Sequence, residues 1–206
     1  MENTSRLYFN FVREYWRNIR EIGSLLPDSR VCVDALLAHV PFGSAKIIVE
    51  CGAASGAVTR EIIRRKRPET LLVSFEKNAT LHSLLQSSSR GRNVSHVNAD
   101  IFTCPSVLSA TFGVTGAEVD CIVSTLPCSC LDVDGLLRTA VLPVLARDGV
   151  FIQYMHTLSV LKGFRLGPIL KKHYRSVRSE LVIRNLPPAV VYTCRIPRKT
   201  AVQAVP

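Results

Sequence analysis

The chain predicts an α/β fold built on a mostly parallel, seven-stranded sheet whose last strand runs antiparallel. Three observations predict it. Strand-like apolar segments alternate with helix-like ones from residue 47 to residue 173, the pattern of a parallel sheet joined by crossover helices. The first strand-like run, Ile47-Ile48-Val49, is short, β-branched and apolar throughout, which suits a strand covered on both faces. Two further strand-like segments, 177–184 and 190–195, follow each other across Asn185-Leu-Pro-Pro188 with no helix between them, and a hairpin-like pair suits an antiparallel sheet edge.

Along the chain, residues 7–22 come first. Leu7, Phe11, Tyr15, Ile19 and Ile22 recur at helical spacing, Tyr8, Val12 and Trp16 widen the stripe, and Arg13, Arg17 and Arg20 line another face. Aromatic rings flanked by arginines suit a helix lying at a membrane surface; a helix packed on the core with a solvated basic face shows the same amphipathicity. Asp28 and Ser29 are candidate caps for a second helix through Val40, which Pro41-Phe42-Gly43 breaks. After the first strand, small residues make a turn into a helix at 58–63. Strands are expected at 70–75, 94–98, 119–124 and 150–154, with helices at 79–86, 105–112, 131–145 and 168–173. The organisation is therefore a helical extension over 1–43, a candidate membrane-surface element and site lid, followed by one domain over 44–206.

Composition narrows the partners. The 206 residues suit one well-buried domain. Lys plus Arg number 26 against 16 Asp plus Glu, a formal charge of +10, which favours an anionic partner, either nucleic acid or an anionic membrane surface. Seven cysteines, scattered and with no signal-peptide pattern at the start, suggest reduced thiols in a cytoplasmic protein. Cys128-x-Cys130 lacks the spacing of common zinc knuckles, so no metal is expected. No apolar run reaches the length of a membrane span, so the chain is expected to lie on a bilayer, not to cross it.

The chemistry concentrates where strands end. Gly52, Ala53, Ala54, Ser55 and Gly56 let a ligand approach the backbone and lead into a helix whose free amides face the same cleft. This turn has neither the Lys-Ser/Thr of a triphosphate loop nor the three glycines of a dinucleotide loop. Instead Glu50 precedes alternating small residues, and a carboxylate there accepts a cationic amine. Phe75-Glu76, with Lys77 beside it, ends the second strand about twenty residues on, where a carboxylate accepts ribose hydroxyls. Asn98-Ala99-Asp100-Ile101 ends the third, offering an acid to an exocyclic amine and an apolar cover to a ring. The fourth ends in Ser124-Thr125-Leu126-Pro127.

The Glu50-x-Gly52-x-Ala54-x-Gly56 spacing resembles the first motif of class I methyltransferases, which commonly carry glycine where Ala54 stands. Val123-Ser-Thr-Leu-Pro127, Gln153-Tyr154, Asn185-Leu-Pro-Pro-Ala189 and the upstream segment Arg20–Ser29 together resemble bacterial phospholipid N-methyltransferases, with departures at Thr125, commonly glycine, and Asp28, commonly serine. The resemblance covers nearly the whole chain. It implies a Rossmann-like fold with helices on both faces and S-adenosylmethionine as cofactor, released as S-adenosylhomocysteine. Glu50, Gly52, Ala53, Ser55, Gly56, Glu76, Lys77, Asp100, Ile101, Ser124, Thr125 and Leu126 would contact that cofactor. The substrate would be the headgroup amine of a phosphatidylethanolamine-like phospholipid, met by a peripheral enzyme at an anionic membrane surface. Moving a methyl from sulfonium to amine needs the amine deprotonated; Tyr154 and His156 are the candidate contacts or proton acceptors, against a cavity wall and a solvated histidine. Arg165 and Lys162 suit a lipid phosphate or a solvated basic face. Two rivals stand beside this: an RNA adenine methyltransferase, favoured by charge but lacking the Pro-Pro-aromatic sequence common in such enzymes, and a silent binding module of the same fold. Oligomeric state is open.

Overall fold

A computed structural model describes residues 30–157, 159, 164–185 and 188–198. The helix expected over 7–22 and the candidate caps Asp28 and Ser29 lie outside the described residues, as do Tyr8, Arg13, Trp16, Arg17, Arg20 and Lys162.

The first described helix, α1 (Arg30–Leu37), buries Cys32, Val33, Leu36 and Leu37, one face at helical spacing. It is followed by β1 (Ile47–Cys51), α2 (Ala57–Arg65), β2 (Leu71–Phe75), α3 (Ala79–Ser88), β3 (Val94–Val97), α4 (Cys104–Phe112) and β4 (Val119–Ser124). Then come α5 (Val133–Leu136), β5 (Leu145–His156), α6 (Leu166–His173), β6 (Tyr174–Val182) and β7 (Ala189–Pro197). Asn78 caps α3 by accepting from the Leu81 N–H at 3.0 Å, and Gly113 ends α4 in the left-handed region at φ 70°, both common helix boundaries.

The seven described strands form one sheet in the order β3-β2-β1-β4-β5-β7-β6. All neighbours from β3 to β5 are parallel. β7 lies antiparallel between β5 and β6. One apolar cluster carries α4, α5 and α6, and a second carries α1 and α2, so helices cover both faces.

Several boundaries differ from the sequence expectation: β6 starts at Tyr174, ahead of the expected 177, and α1 ends at Leu37, short of Val40. The helix expected over 131–145 is shorter: α5 widens into a π turn at Leu137–Val141, where the Leu142 N–H reaches the Leu137 carbonyl at 2.8 Å. β5 starts at Leu145, ahead of the expected 150, because Leu145 pairs with Val119 across an irregularity before Cys121. Arg147 and Asp148 break the apolar pattern there, and a side chain at Gly149 would come within 3.0 Å of the Val119 carbonyl.

Register also makes the sheet's upper edge uneven. Cys51 pairs with Ser124 and Ser124 with Gln153, and that row continues through Tyr192 to Ser179. A later row joins His156, Ala189 and Val182. β5, β7 and β6 thus continue three residues past the end of β4, a rise of about 10 Å.

Candidate active site

A cleft of about 250 Å³ opens at the carboxyl ends of β1, β2, β3 and β4, where a parallel α/β sheet places its sites. β1 contributes Gly52 and Ala54, β2 contributes Glu76 and Lys77, the segment after β3 contributes Asp100 and Ile101, and β4 contributes Thr125 and Leu126. Four strands that are distant in sequence therefore deliver two of the predicted small residues, Gly52 and Ala54, and two of the three predicted acids to one place.

The turn after β1 is left-handed at Gly52 (φ 80°), Ala54 (φ 47°) and Gly56 (φ 84°). A Cβ on Gly52 would lie 2.8 Å from Leu126 Cδ2, so glycine there serves both conformation and close approach. The Gly52 and Ala53 N–H groups donate to the Phe75 carbonyl at 3.0 Å. Thr125 donates its hydroxyl to the Gly52 carbonyl at 2.7 Å. The floor is thereby stitched to its neighbours before any ligand arrives.

Glu76 is 8% exposed. Its Oε2 accepts the Ala54 N–H and its Oε1 the Asn78 N–H, each at 2.8 Å. Burial raises its pKa and the two backbone donors oppose the rise. A carboxylate offers about four acceptor positions, so both oxygens keep capacity toward the cleft. Asp100 holds the Phe102 N–H at 3.1 Å and is exposed, beside buried Ile101.

Several expected site residues do not line this cleft. Glu50 is fully buried beneath it: Oε2 accepts from Thr59 at 2.7 Å and Ser74 at 2.7 Å, while Oε1 is buried without a hydrogen-bond partner among the described residues. Desolvation raises its pKa to about 7. Its side chain lies below the turn, outside the lining of the cleft. Ala53 and Ser124 are buried, Ser55 turns its carbonyl to Arg60 at 3.0 Å, and Gly56 packs under Ser89 and Leu85 of α3 and the segment after it.

Tyr154 and His156 are displaced as well. Tyr154 is 4% exposed and belongs to the core on the α1 side. Its hydroxyl lies 2.9 Å from His156 Nδ1 and accepts from Asn185 Nδ2 at 3.3 Å. Strand alternation puts both side chains on that face, outside the lining of the cleft. Arg165 is exposed at the start of α6, also apart from it.

Sequence reasoning gave no role to Asn78, nor to Asn98 and Gln153 within the motifs that contain them. Asn78 lines the cleft and caps α3; an Asn two residues after a strand-end acid and just before a helix was a readable capping signal. Asn98 donates to the carbonyls of Glu76 at 2.8 Å and Lys77 at 3.1 Å, and Gln153 donates to the Ser124 and Leu126 carbonyls at 3.2 Å. Those contacts depend on tertiary pairing that one sequence does not display.

The described cysteines 51, 104, 121, 128 and 194 are buried free thiols, and burial pushes the Cys121 thiol up. Among the described residues no helix is long and apolar enough to cross a membrane, and no group of metal-ligating side chains assembles.

Comparison with solved structures decides the fold. An RNA methyltransferase from Salinibacter ruber, in complex with S-adenosylhomocysteine, superposes with a TM-score of 0.58 at 14% identity, covering 85% of this chain and 96% of that one. A S-adenosylmethionine-dependent methyltransferase from Aquifex aeolicus gives 0.61 at 11% identity, covering 80% and 89%. A precorrin-6y C5,15-methyltransferase from Geobacter metallireducens gives 0.58 at 17%, covering 82% and 87%. The fold is that of class I methyltransferases. By sequence, the methyltransferase-fold chain is 28% identical over 191 residues to an ornithine lipid N-methyltransferase from Singulisphaera acidiphila, covering 91% of this chain and 95% of that protein. No protein-family model matches it.

Proposed function

We propose that the chain transfers a methyl group from S-adenosylmethionine to the primary amine of a membrane-lipid headgroup, with a phosphatidylethanolamine-like phospholipid as acceptor, working from the membrane surface. The observation that carries this reading is Glu76: a nearly buried carboxylate at the end of β2, fixed by the Ala54 and Asn78 amides and facing the cleft. The donor set fits the cofactor. Glu76 suits the ribose hydroxyls, Asp100 the adenine amino group, Ile101 the ring face, and Gly52 the close approach of the amino-acid portion to the backbone. Lys77, Thr125 and Leu126 complete the wall.

Bound S-adenosylmethionine supplies an electrophilic methyl on a sulfonium. In-line displacement then asks the protein chiefly to orient the partners. Leu126, Pro127 and Leu131 make the side of the cleft beyond β4 apolar, which keeps an amine there poorly hydrated and favours its neutral form. The lipid class is supported by the ornithine lipid N-methyltransferase similarity over 91% of the chain and by the net charge of +10.

Labelled S-adenosylmethionine offered with phosphatidylethanolamine, ornithine lipid and RNA tests the proposal. Label in phosphatidylethanolamine supports it, label confined to ornithine lipid moves the acceptor, and label in RNA adenine overturns it. Independently, Glu76→Ala is expected to weaken S-adenosylhomocysteine binding in calorimetry by about 1.5–3 kcal/mol; unchanged affinity would remove Glu76 from the site.

A further inference from the structure

The raised portion of the sheet edge ends in exposed aliphatic side chains. Leu181 is 57% exposed and Ile183 72%, while Val182 between them is buried at 5%. Because β6 runs parallel to β5, these residues emerge at the same edge as the cleft. They also stand above it: Val182 lies in the row about 10 Å past the end of β4, and Ile183 and Arg184 form the turn that follows it. Two bulky aliphatic residues held at a projecting tip are not accounted for by the core.

The charge around the tip is cationic. Arg184 follows Ile183 and is exposed, as is Arg165 at the start of α6; Arg178 is exposed too, but by strand alternation it shares the face of Glu180. Helix α6 begins lower, near the row level with the end of β4, since a Cβ on Gly167 would lie 3.9 Å from Tyr192, which pairs with Ser179. The acid in this stretch, Glu180, sits 3.9 Å from His39 and by strand alternation on the opposite face from Leu181. Aliphatic side chains with an exposed arginine beside them, and a second arginine lower on the same edge, fit an interfacial layer of lipid with anionic headgroups, into which apolar groups sink by about 5–10 Å. The height of the tip matches that depth.

We propose that the β6–β7 hairpin tip, through Leu181, Ile183 and Arg184, docks this edge of the protein into an anionic lipid bilayer and brings the cleft to headgroup level. The proposal rests on the lipid reading above and adds a surface to it.

The full chain is sedimented with vesicles of phosphatidylethanolamine and phosphatidylglycerol. Leu181→Ser/Ile183→Ser is expected to reduce partitioning about ten-fold or more, with S-adenosylhomocysteine binding intact. Ile183→Trp is expected to gain a fluorescence component that brominated acyl chains quench beyond the wild-type level. Wild-type partitioning of the double variant overturns the proposal, and so does an added indole signal in Ile183→Trp that bromine does not quench. A dimer lost in the double variant while vesicle binding persists also overturns it, assigning the tip to a second copy. If the double variant loses cofactor binding through misfolding, the Ile183→Trp quenching decides, since that side chain is mostly in solvent. Methylation of a short-chain phosphatidylethanolamine dispersed as monomers separates the two claims: its absence refutes the substrate, while lost vesicle docking alone concerns the tip.

Discussion

Ala54→Gly should stabilise the protein. Ala54 occupies the left-handed region at φ 47° between two glycines in the same region, and that conformation costs an L-residue about 1–2 kcal/mol. Glycine removes the strain but adds about 0.4–1 kcal/mol of unfolded-chain entropy. The difference leaves a net gain centred near 1 kcal/mol, which for a chain of this length raises Tm by about 2–4 °C. Scanning calorimetry with and without S-adenosylhomocysteine measures it. The bond from the Ala54 N–H to Glu76 at 2.8 Å belongs to the backbone and survives the change, so ligand affinity should hold or improve. An unchanged or lowered Tm would show that alanine is not strained there. A ten-fold loss of affinity, about 1.4 kcal/mol, would show that the methyl group, and not the amide, is what the site uses.

Other outcomes follow from the same geometry. Gly52→Ala should lose about 1–2 kcal/mol of stability and weaken S-adenosylhomocysteine binding, because its Cβ meets Leu126 at 2.8 Å; a neutral thermal melt and titration would refute that. Glu50 has its pKa raised from 4.5 to about 7, so the folded state binds the proton more tightly, and its contribution to stability falls as pH rises from about 4.5 to about 7, then levels off. Glu50→Gln should flatten stability across that window in denaturant titrations, and an unaltered slope would discard the buried acid as its source. Tyr154→Phe removes a hydroxyl bonded to Asn185 and His156 and should cost about 0.5–1.5 kcal/mol with S-adenosylhomocysteine affinity unchanged; weakened binding would return Tyr154 to the cleft.

How much of this was legible depends on whether a signal was local. β4 was read at its observed bounds because Val119–Ser124 is an apolar run interrupted by Asp120 and closed by Ser124. Glu76 and Asp100 were placed at the cleft because acids just beyond the carboxyl ends of parallel strands, one residue past β2 and three past β3, fall at that edge of the sheet. Glu50 obeyed the same rule in sequence yet lies beneath the floor, because it is still inside β1, paired with Ser74 and Val123, one residue before the strand ends. A single residue of register separates an acid in the core from one in the site. Tyr154 and His156 lie outside the lining of the cleft for a related reason: β5 outruns β4 by three residues, so its end is not level with the cleft, and only the pairing reveals it. Asn98 and Gln153 hold carbonyls of neighbouring segments, information that resides in the fold and not in any local pattern.

The π turn at Leu137–Val141 has a consequence for the protein's history. An i→i−5 turn accommodates one residue beyond what the surrounding α-helix needs, and the extra length falls where Arg138 and Thr139 are exposed. Leu136, Leu137, Ala140 and Val141 on either side stay in the core. Loss of one of the two exposed residues would tighten the turn toward regular helix while the buried flanks keep their partners. Relatives that differ by a single-residue gap should therefore place it here, and an aligner that spreads the gap into β5 would misregister every position of the strand that follows.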